Sequence, residues 1–294
     1  MSDRANNGKA PTTVTALIQG KDTKGIIATI TNWIFDHSGN IVYLDQHTDP
    51  VEDMFFMRIR WDMEGFEIPR DEIDDEFSKV CWRLGMAHRL FFSDRKKRIA
   101  IMVSKQGHCL LDLLYRWRSR HIEVDIPCII SNHDELRDMA GYYNIPYHHL
   151  PVDKENKRGQ EDQALEILKE ENVDTVILAR YMQILTPRFV TAYRNSIINI
   201  HHSFLPAFIG ADPYLQAFKR GVKIIGATSH YVTEDLDQGP IIYQDIVPVT
   251  HRDNVKTLKR KGEDIEKVVL ARAVAMHVEN RVLIHNGKTV VFGG

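Results

Sequence analysis

The chain has 294 residues, enough for two domains of ordinary size. Its 38 Lys and Arg against 40 Asp and Glu leave no global field to gather nucleic acid or an anionic membrane. Three cysteines, Cys81, Cys109 and Cys128, form no C-x-x-C pair, no apolar run nears the roughly 18 residues that span a bilayer, and the opening MSDRANNGKAPTT lacks an apolar core; the expectation is a cytoplasmic protein without disulfides, leader or membrane contact.

Residues 1–12 read as disordered. TVTALIQG (Thr13 to Gly20) is a strand pattern, and KGIIATITNWIFDHSGN then carries Ile26, Ile27, Ile30, Trp33 and Ile34 at helical spacing before Gly39-Asn40 stops it. IVYLDQHTD and EDMFFMRIRWDM are strands on either side of an Asp49-Pro50 turn. Residues 71–90 have a helical pattern with Ile73, Phe77, Val80, Cys81, Leu84 and Met86 inward, and a last strand closes the module near Phe92. The order β-α-β-β-α-β predicts a ferredoxin-like α+β domain over residues 13–92. Residues 93–97, in a short basic run, read as a solvated linker.

From Arg98 the pattern changes. IAIMVS is a fully apolar strand, a helix follows over Cys109 to Arg118, and IEVDIPCIIS is the next strand. Helix, strand and helix continue to Glu171, and DTVILA and SIINI are further buried strands. Strands alternating with helices predict a Rossmann-like, doubly wound parallel sheet over residues 98–294. KIIGATSHYV and IIYQDIVPV read as extended, a long helix covers about residues 254–280, and RVLIHN and KTVVF close the chain.

Two stretches carry chemistry. NIHHSFLP (Asn199 to Pro206) puts an amide and two imidazoles at the end of the strand SIINI, where α/β sheets build their sites. LDQGP (Leu236 to Pro240) is a tight loop between extended segments and carries Asp237. Alone, each could be a turn former. Together they supply a carboxylate, an imidazole and a carboxamide, the groups of an acyl transfer: a base for the nucleophile and donors for the oxyanion. His202 reads as structural or at the rim of such a pocket, and His230 as lining it. The pairs His201-His202 and His148-His149, on extended backbone, would point to opposite faces and chelate poorly. With no zinc-type spacing, no metal is expected. Cys109 reads as a packing residue, and no G-x-G-x-x-G follows the strand ending at Ser104, so no dinucleotide is expected.

NIHHSFLPAFIGADPY followed by LDQGPIIYQ, with Asp237 about 36 residues beyond His201, resembles the formyltransferase family that uses 10-formyltetrahydrofolate. The resemblance covers roughly residues 98–280. It implies Asn199, His201 and Asp237 as the catalytic triad. It also implies a folate-binding loop in ARYMQILTP, with Arg180, Tyr181, Met182 and Leu185, closed on the other side by Val232, Thr233 and Asp235. The branch most closely resembled is that of the formyltetrahydrofolate deformylases, which join an ACT domain to this body; GKDTKGIIATI is similar to the opening of such a domain. Ribonucleotide transferases carry a glycine-rich phosphate cradle after the first strand of the body. Here Ser104-Lys105-Gln106-Gly107-His108-Cys109 offers one glycine and a bulky histidine, which makes water the natural acceptor. The implied reaction is hydrolysis to formate and tetrahydrofolate, within one-carbon and purine metabolism, with no cofactor. Transfer to a ribonucleotide amine and a non-catalytic amino-acid or folate sensor are the alternatives. The ACT resemblance implies a homo-oligomer, dimer or tetramer, with glycine or methionine as effector near Asp22, Gly25 and Asn40. One departure stands out: the family pattern has Lys and His where this chain has Asp212 and Leu215.

Overall fold

Apolar alternation in the first ninety residues builds a four-stranded antiparallel sheet backed by two helices. Its elements are β1 (Thr13–Lys21), α1 (Ile26–Asp36), β2 (Ile41–Asp49), β3 (Met54–Asp62), α2 (Ile73–Arg83) and β4 (Met86–Phe92), in spatial order β2-β3-β1-β4. That is the ferredoxin-like arrangement. Val14, Ala16 and Ile18 of β1 and Met57, Ile59 and Trp61 of β3 pack with Ile26, Ile30 and Ile34 of α1 and Phe77 and Cys81 of α2. The helix expected over residues 71–90 is too long: it ends at Arg83, and Met86–Phe92 is a strand paired with β1 from Gly20↔Met86 to Val14↔Phe92. Met86 and Leu90 suit either period, and pairing with β1 decides between them. The computed structural model describes residues 12–207 and 213–293. The expectation for residues 1–12 therefore falls almost wholly outside the described residues, and the one for Asp212 does so entirely. The chain divides into one unit up to Arg95, together with the residues from Val290, and a second from Lys96 to Thr289.

The second unit begins with β5 (Lys97–Val103), α3 (His108–Arg118), β6 (Val124–Asp125), β7 (Ile129–Ser131), α4 (Arg137–Tyr142), β8 (Tyr147–His149), α5 (Lys157–Glu170) and β9 (Thr175–Leu178). It continues through α6 (Pro187–Ala192), β10 (Ile197–His201), α7 (Pro213–Arg220), β11 (Ile224–Tyr231), β12 (Ile241–Pro248), α8 (Val255–Val278) and β13 (Val282–His285), and the chain then forms β14 (Lys288–Val291), whose last two residues fall in the first unit. The main sheet has the order β12-β11-β10-β9-β5-β7-β8, with β6 beside β5. The strands from β10 to β8 run parallel, as the alternation of strands and helices predicts, whereas the two later extended segments, β11 and β12, join the same sheet antiparallel. The run IEVDIPCIIS splits into β6 and β7 around Pro127, which has no N–H to give the ladder.

β5 is buried on both faces, as central parallel strands are. Ile99, Ile101 and Val103 pack with Leu110, Leu113 and Leu114 of α3 and Leu270 and Val274 of α8. Ala100 and Met102 pack on the other face with Ala164 and Leu168 of α5 and Phe189 of α6. The consequence for function is directional. β5, β9 and β10 end together, so Ser104, Arg180, His201 and His202 emerge at one edge of the sheet. Among the described residues no helix is long and apolar enough to cross a membrane.

Candidate active site

Strand register assembles the centre. Asn199 and His201 lie two residues apart on β10, and β11 returns antiparallel so that His230 is the Cα partner of Asn199. Beyond Tyr231 the chain makes a loop that brings Asp237, at φ 56°, back over the strand ends. The loop closes by the hydrogen bond from Tyr231 N–H to the Pro240 carbonyl at 2.9 Å. A Cβ on Gly239 would lie 1.7 Å from the Tyr231 carbonyl oxygen, so the loop closes this tightly only with glycine there.

His201 Nδ1 stands 3.2 Å from Asp237 Oδ2, and His230 Nε2 stands 3.6 Å from Oδ1. A carbonyl only accepts, so His230 Nδ1 donates to Tyr231 O at 2.9 Å. Its Nε2 then accepts from Asn199 Nδ2 at 3.2 Å, which fixes the orientation of the amide. The hydrogen bond from His201 holds the Asp237 carboxyl well below the usual carboxylate range. Asp237 is therefore a carboxylate that keeps a hydrogen on His201 Nδ1. His201 Nε2 is buried and has no hydrogen-bond partner among the described residues. An unmet imidazole nitrogen beside an oriented amide and a carboxylate can bind a carbonyl oxygen that gains negative charge.

The two neighbouring imidazoles do not part as expected. β10 ends at His201, and beyond the strand the His202 ring turns back to stack on the His201 ring, with centroids 5.2 Å apart and planes at 26°. His202 Nδ1 accepts from Arg180 Nη1 at 2.6 Å. Its surroundings include an apolar cavity of 160 Å³ lined also by Phe204, Tyr214 and Ile225. Burial, then the Arg180 charge, pushes the His202 pKa down to about 4.

Behind His202 lies a buried polar cluster that sequence reasoning did not find. Glu266, 1% exposed on α8, receives Tyr214 Oη at 2.6 Å and His108 Nε2 at 2.8 Å. Arg180 Nε lies 3.5 Å from the same carboxylate and donates to Gln106 Oε1 at 2.8 Å. Tyr214 Oη would be 1.9 Å from a Cβ on residue 262, so Gly262 is what lets the phenol reach Glu266. A legible signal existed: Leu258, Gly262, Glu266 and Leu270 form one buried stripe of α8, and a glutamate in such a stripe needs a partner. His108, Cys109 and Glu266 bring metal-type donor atoms within 4.8 Å of one another. They do not suit a cation. Both Glu266 oxygens are engaged, a guanidinium stands beside them, and burial, then Glu266, pushes the Cys109 thiol well above its usual range.

The expected folate loop follows β9. Arg180, at φ 63°, turns the chain, and Met182 N–H donates to Ser104 Oγ at 2.9 Å, which in turn donates to Asn132 Oδ1 at 2.7 Å. The loop is thereby tied to the ends of β5 and β7. Met182 is exposed, whereas Tyr181 and Leu185 are buried with Phe189 and Val190 and form no free wall. The Arg180 side chain points into the Glu266 cluster. On the opposite side Val232 N–H donates to Ile197 O at 2.9 Å, Thr233 Oγ1 donates to Asp235 O at 3.1 Å, and Asp235 is exposed. Leu215 is half-buried on α7. In the first unit Gly25, at φ 91°, is the N-cap of α1. Asp22 N–H donates to Asp53 O at 2.9 Å, and Asn40 Nδ2 donates to Asp62 Oδ2 at 3.1 Å.

A mixed α/β sheet with amide, imidazole and carboxylate converging at its strand ends defines an acyl-transfer body of formyl transferase type; the family model described as formyl transferase matches residues 97–274. The relative "Formyltetrahydrofolate deformylase" from Synechocystis is 51% identical over 280 residues, covering 95% of this chain and 98% of that protein. The crystal structure of a formyltetrahydrofolate deformylase from Pseudomonas syringae superposes with a TM-score of 0.94 at 44% identity, covering 98% of this chain and 96% of the other. Glycinamide ribonucleotide transformylase 1 from Symbiobacterium toebii has a TM-score of 0.64 at 31% identity and covers 70% of this chain and 98% of its own. The chain belongs to the formyl transferase family and, within it, to the formyltetrahydrofolate deformylases.

Proposed function

We propose that the chain hydrolyses 10-formyltetrahydrofolate to formate and tetrahydrofolate, with Asn199, His201 and Asp237 as its catalytic residues. The observation that carries the residue assignment is the pairing of His201 Nδ1 with Asp237 at 3.2 Å while His201 Nε2 stays buried with no partner among the described residues. Water adds to the formyl carbon, and the carbonyl oxygen takes the developing charge. Asn199 Nδ2 and a protonated His201 Nε2 donate to that oxygen. A carboxylate held as low as Asp237 is a weak base at rest. When His201 gives its Nε2 proton to the leaving N10, the cation beside Asp237 disappears and its basicity returns. Asp237 Oδ1, which faces the bare Nε2 of His230 and takes no hydrogen from it, then takes the proton of the attacking water as the carbon–nitrogen bond breaks. Formic acid gives its proton to solvent and leaves as formate, and the proton taken up by Asp237 passes back to His201. A carboxylate, an imidazole and an amide suffice for this sequence, and the proposal includes no metal or cofactor.

The pterin lies along the 180–185 segment, mostly on backbone groups and Met182, with Val232, Thr233 and Asp235 opposite. The first unit acts as an ACT-type module that pairs subunits into a dimer or tetramer in the cytoplasm and takes glycine or methionine near Asp22, Gly25 and Asn40. The N-cap residue Gly25 has no side chain to cap α1, which supports carboxylate binding at the N–H groups of its first turn. The decisive assay supplies 10-formyltetrahydrofolate anaerobically and follows formate with and without glycinamide ribonucleotide. Formate equal to tetrahydrofolate, unchanged by the ribonucleotide, is expected. Formyl transfer to the ribonucleotide, or formate only in its presence, would refute hydrolysis. Titration of glycine and methionine, read by activity and light scattering, tests the module; no response to either refutes those effectors.

A further inference from the structure

The reaction above leaves unused a charged cluster built around the most deeply buried carboxylate among the described residues. Glu266 is 1% exposed, and its carboxylate sits in a shell of Tyr214, His108 and Arg180. Arg180 reaches both Glu266 and an imidazole in contact with the centre through its nitrogens: Nε faces Glu266 and Gln106, and Nη1 faces His202. His202 is in turn stacked on His201. A chain of direct contacts therefore runs Glu266, Arg180, His202, His201, Asp237, from α8 to the reacting edge of the sheet.

The chemistry of this chain is directional. A guanidinium only donates, so the nitrogen that it meets, His202 Nδ1, must carry a lone pair. His202 therefore bears its hydrogen on Nε2 and cannot take a second proton without breaking the contact with Arg180. A neutral ring against His201 favours a positive charge on His201; a protonated ring there would oppose it.

We propose that Arg180, anchored by Glu266 and Gln106, is a positioning residue that locks His202 in its neutral, Nε2-protonated form, so that His201 alone of the stacked pair carries the catalytic proton. The groups facing His202 are Arg180 after β9, His201 on β10, Tyr214 on α7, Asp237 on the β11–β12 loop, and Glu266 on α8 with His108 behind it. The low pKa of His202, about 4, accords with this lock. The inference rests on the hydrolytic reading for its kinetic consequence, but not for the state of His202.

The test has two arms. In the full chain labelled with ¹⁵N-histidine, the His202 nitrogens are assigned with His202→Asn and followed from about pH 4 to pH 8, a range that brackets the ordinary imidazole value of about 6.5. In the unsubstituted protein a bare Nδ1 and a protonated Nε2 should persist well below the ordinary imidazole value, giving way only near the acid end. In Arg180→Gln, His202 should titrate at a clearly higher pH than in the unsubstituted protein, while burial still holds it below the ordinary value, and in Arg180→Lys, which keeps the charge, it should stay low. If Arg180→Gln misfolds because Glu266 is left unpaired, Arg180→Gln with Glu266→Gln removes both charges and is read in its place. In the kinetic arm the acid limb of kcat/KM should move up to the pH at which His202 now titrates, a loss of roughly tenfold one unit below that pH. Adding His202→Phe should abolish the moved limb. A hydrogen on Nδ1 in the unsubstituted protein, or a His202 titration indifferent to Arg180, overturns the lock; a His202 that titrates without moving the acid limb overturns its link to His201. The NMR arm needs no substrate, so a protein that releases no formate refutes hydrolysis while the lock is still decided.

Discussion

Replacing Asp237 with asparagine changes one atom of the centre and removes three functions at once. The amide cannot take a proton from water, cannot hold a positive charge on His201 from 3.2 Å, and cannot offer Oδ1 as an anionic site beside His230. General-base assistance alone is worth about 10²–10⁴ in rate, or roughly 3–5.5 kcal/mol in the barrier. Loss of the paired charge falls on the same step, so kcat should drop by at least this range while KM moves only a few-fold, because the substituted atom binds the reaction rather than the pterin. The carboxyl is held low in the folded protein, so its stabilising contribution is complete above the unfolded value of about 3.9 and fades as the pH falls toward the lower folded value. Asp237→Asn should thus unfold more readily than the unsubstituted protein at pH 7, and the difference should shrink in strong acid. Formate release from 10-formyltetrahydrofolate, over a substrate range wide enough to separate kcat from KM, is the assay. Turnover within tenfold of the unsubstituted enzyme would refute both the proton transfer and the charge pairing assigned to Asp237.

Asn199→Ala and His201→Ala should each lower kcat far more than they raise KM, by about 10²–10³, and the double variant should lose less than the product, since both donors serve one oxygen; a pure KM effect would reassign the residue to folate binding. Tyr214→Phe leaves one oxygen of a buried carboxylate unmet and should cost about 1–3 kcal/mol, seen as a lower midpoint in thermal unfolding; an unchanged midpoint would mean that water replaces the phenol. Cys81 and Cys128 are pushed up to about 12 by burial, and Cys109 higher than its usual range for the same reason, so iodoacetamide at pH 8 should label the unfolded chain but not the native one; rapid labelling or inactivation of the native protein would contradict that burial.

What the sequence reveals here depends on how local each feature is. Asn199, His201 and Asp237 are legible because each stands in a short polar break between apolar runs, the kind of signal that needs no knowledge of the third dimension. The start of strand β4 is not, since Met86–Phe92 satisfies a helical pattern as well as an alternating one; Gly85, at φ 67°, is the stop signal that separates it from α2. The short helices α6 and α7 are too brief to show a period. Arg180 misleads for a different reason: it stands in the loop expected to hold folate, yet its side chain leaves that loop for a partner 86 positions later in the sequence. The stacking of His202 on His201 depends on where β10 ends, to within one residue, which no pattern specifies.

The register and the buried ion pair also set an order in time. A chain leaving the ribosome displays Arg180 and β10 first, His230 and Asp237 later, and Glu266 last of all. Until α8 is made, the guanidinium destined for the interior has no carboxylate to accompany it, and the sheet can gather its strands but cannot seal that edge. The last long helix thus acts as the closing step of synthesis: a nascent chain halted before Glu266 holds every residue of the triad and still lacks the counter-charge that lets the edge around them bury.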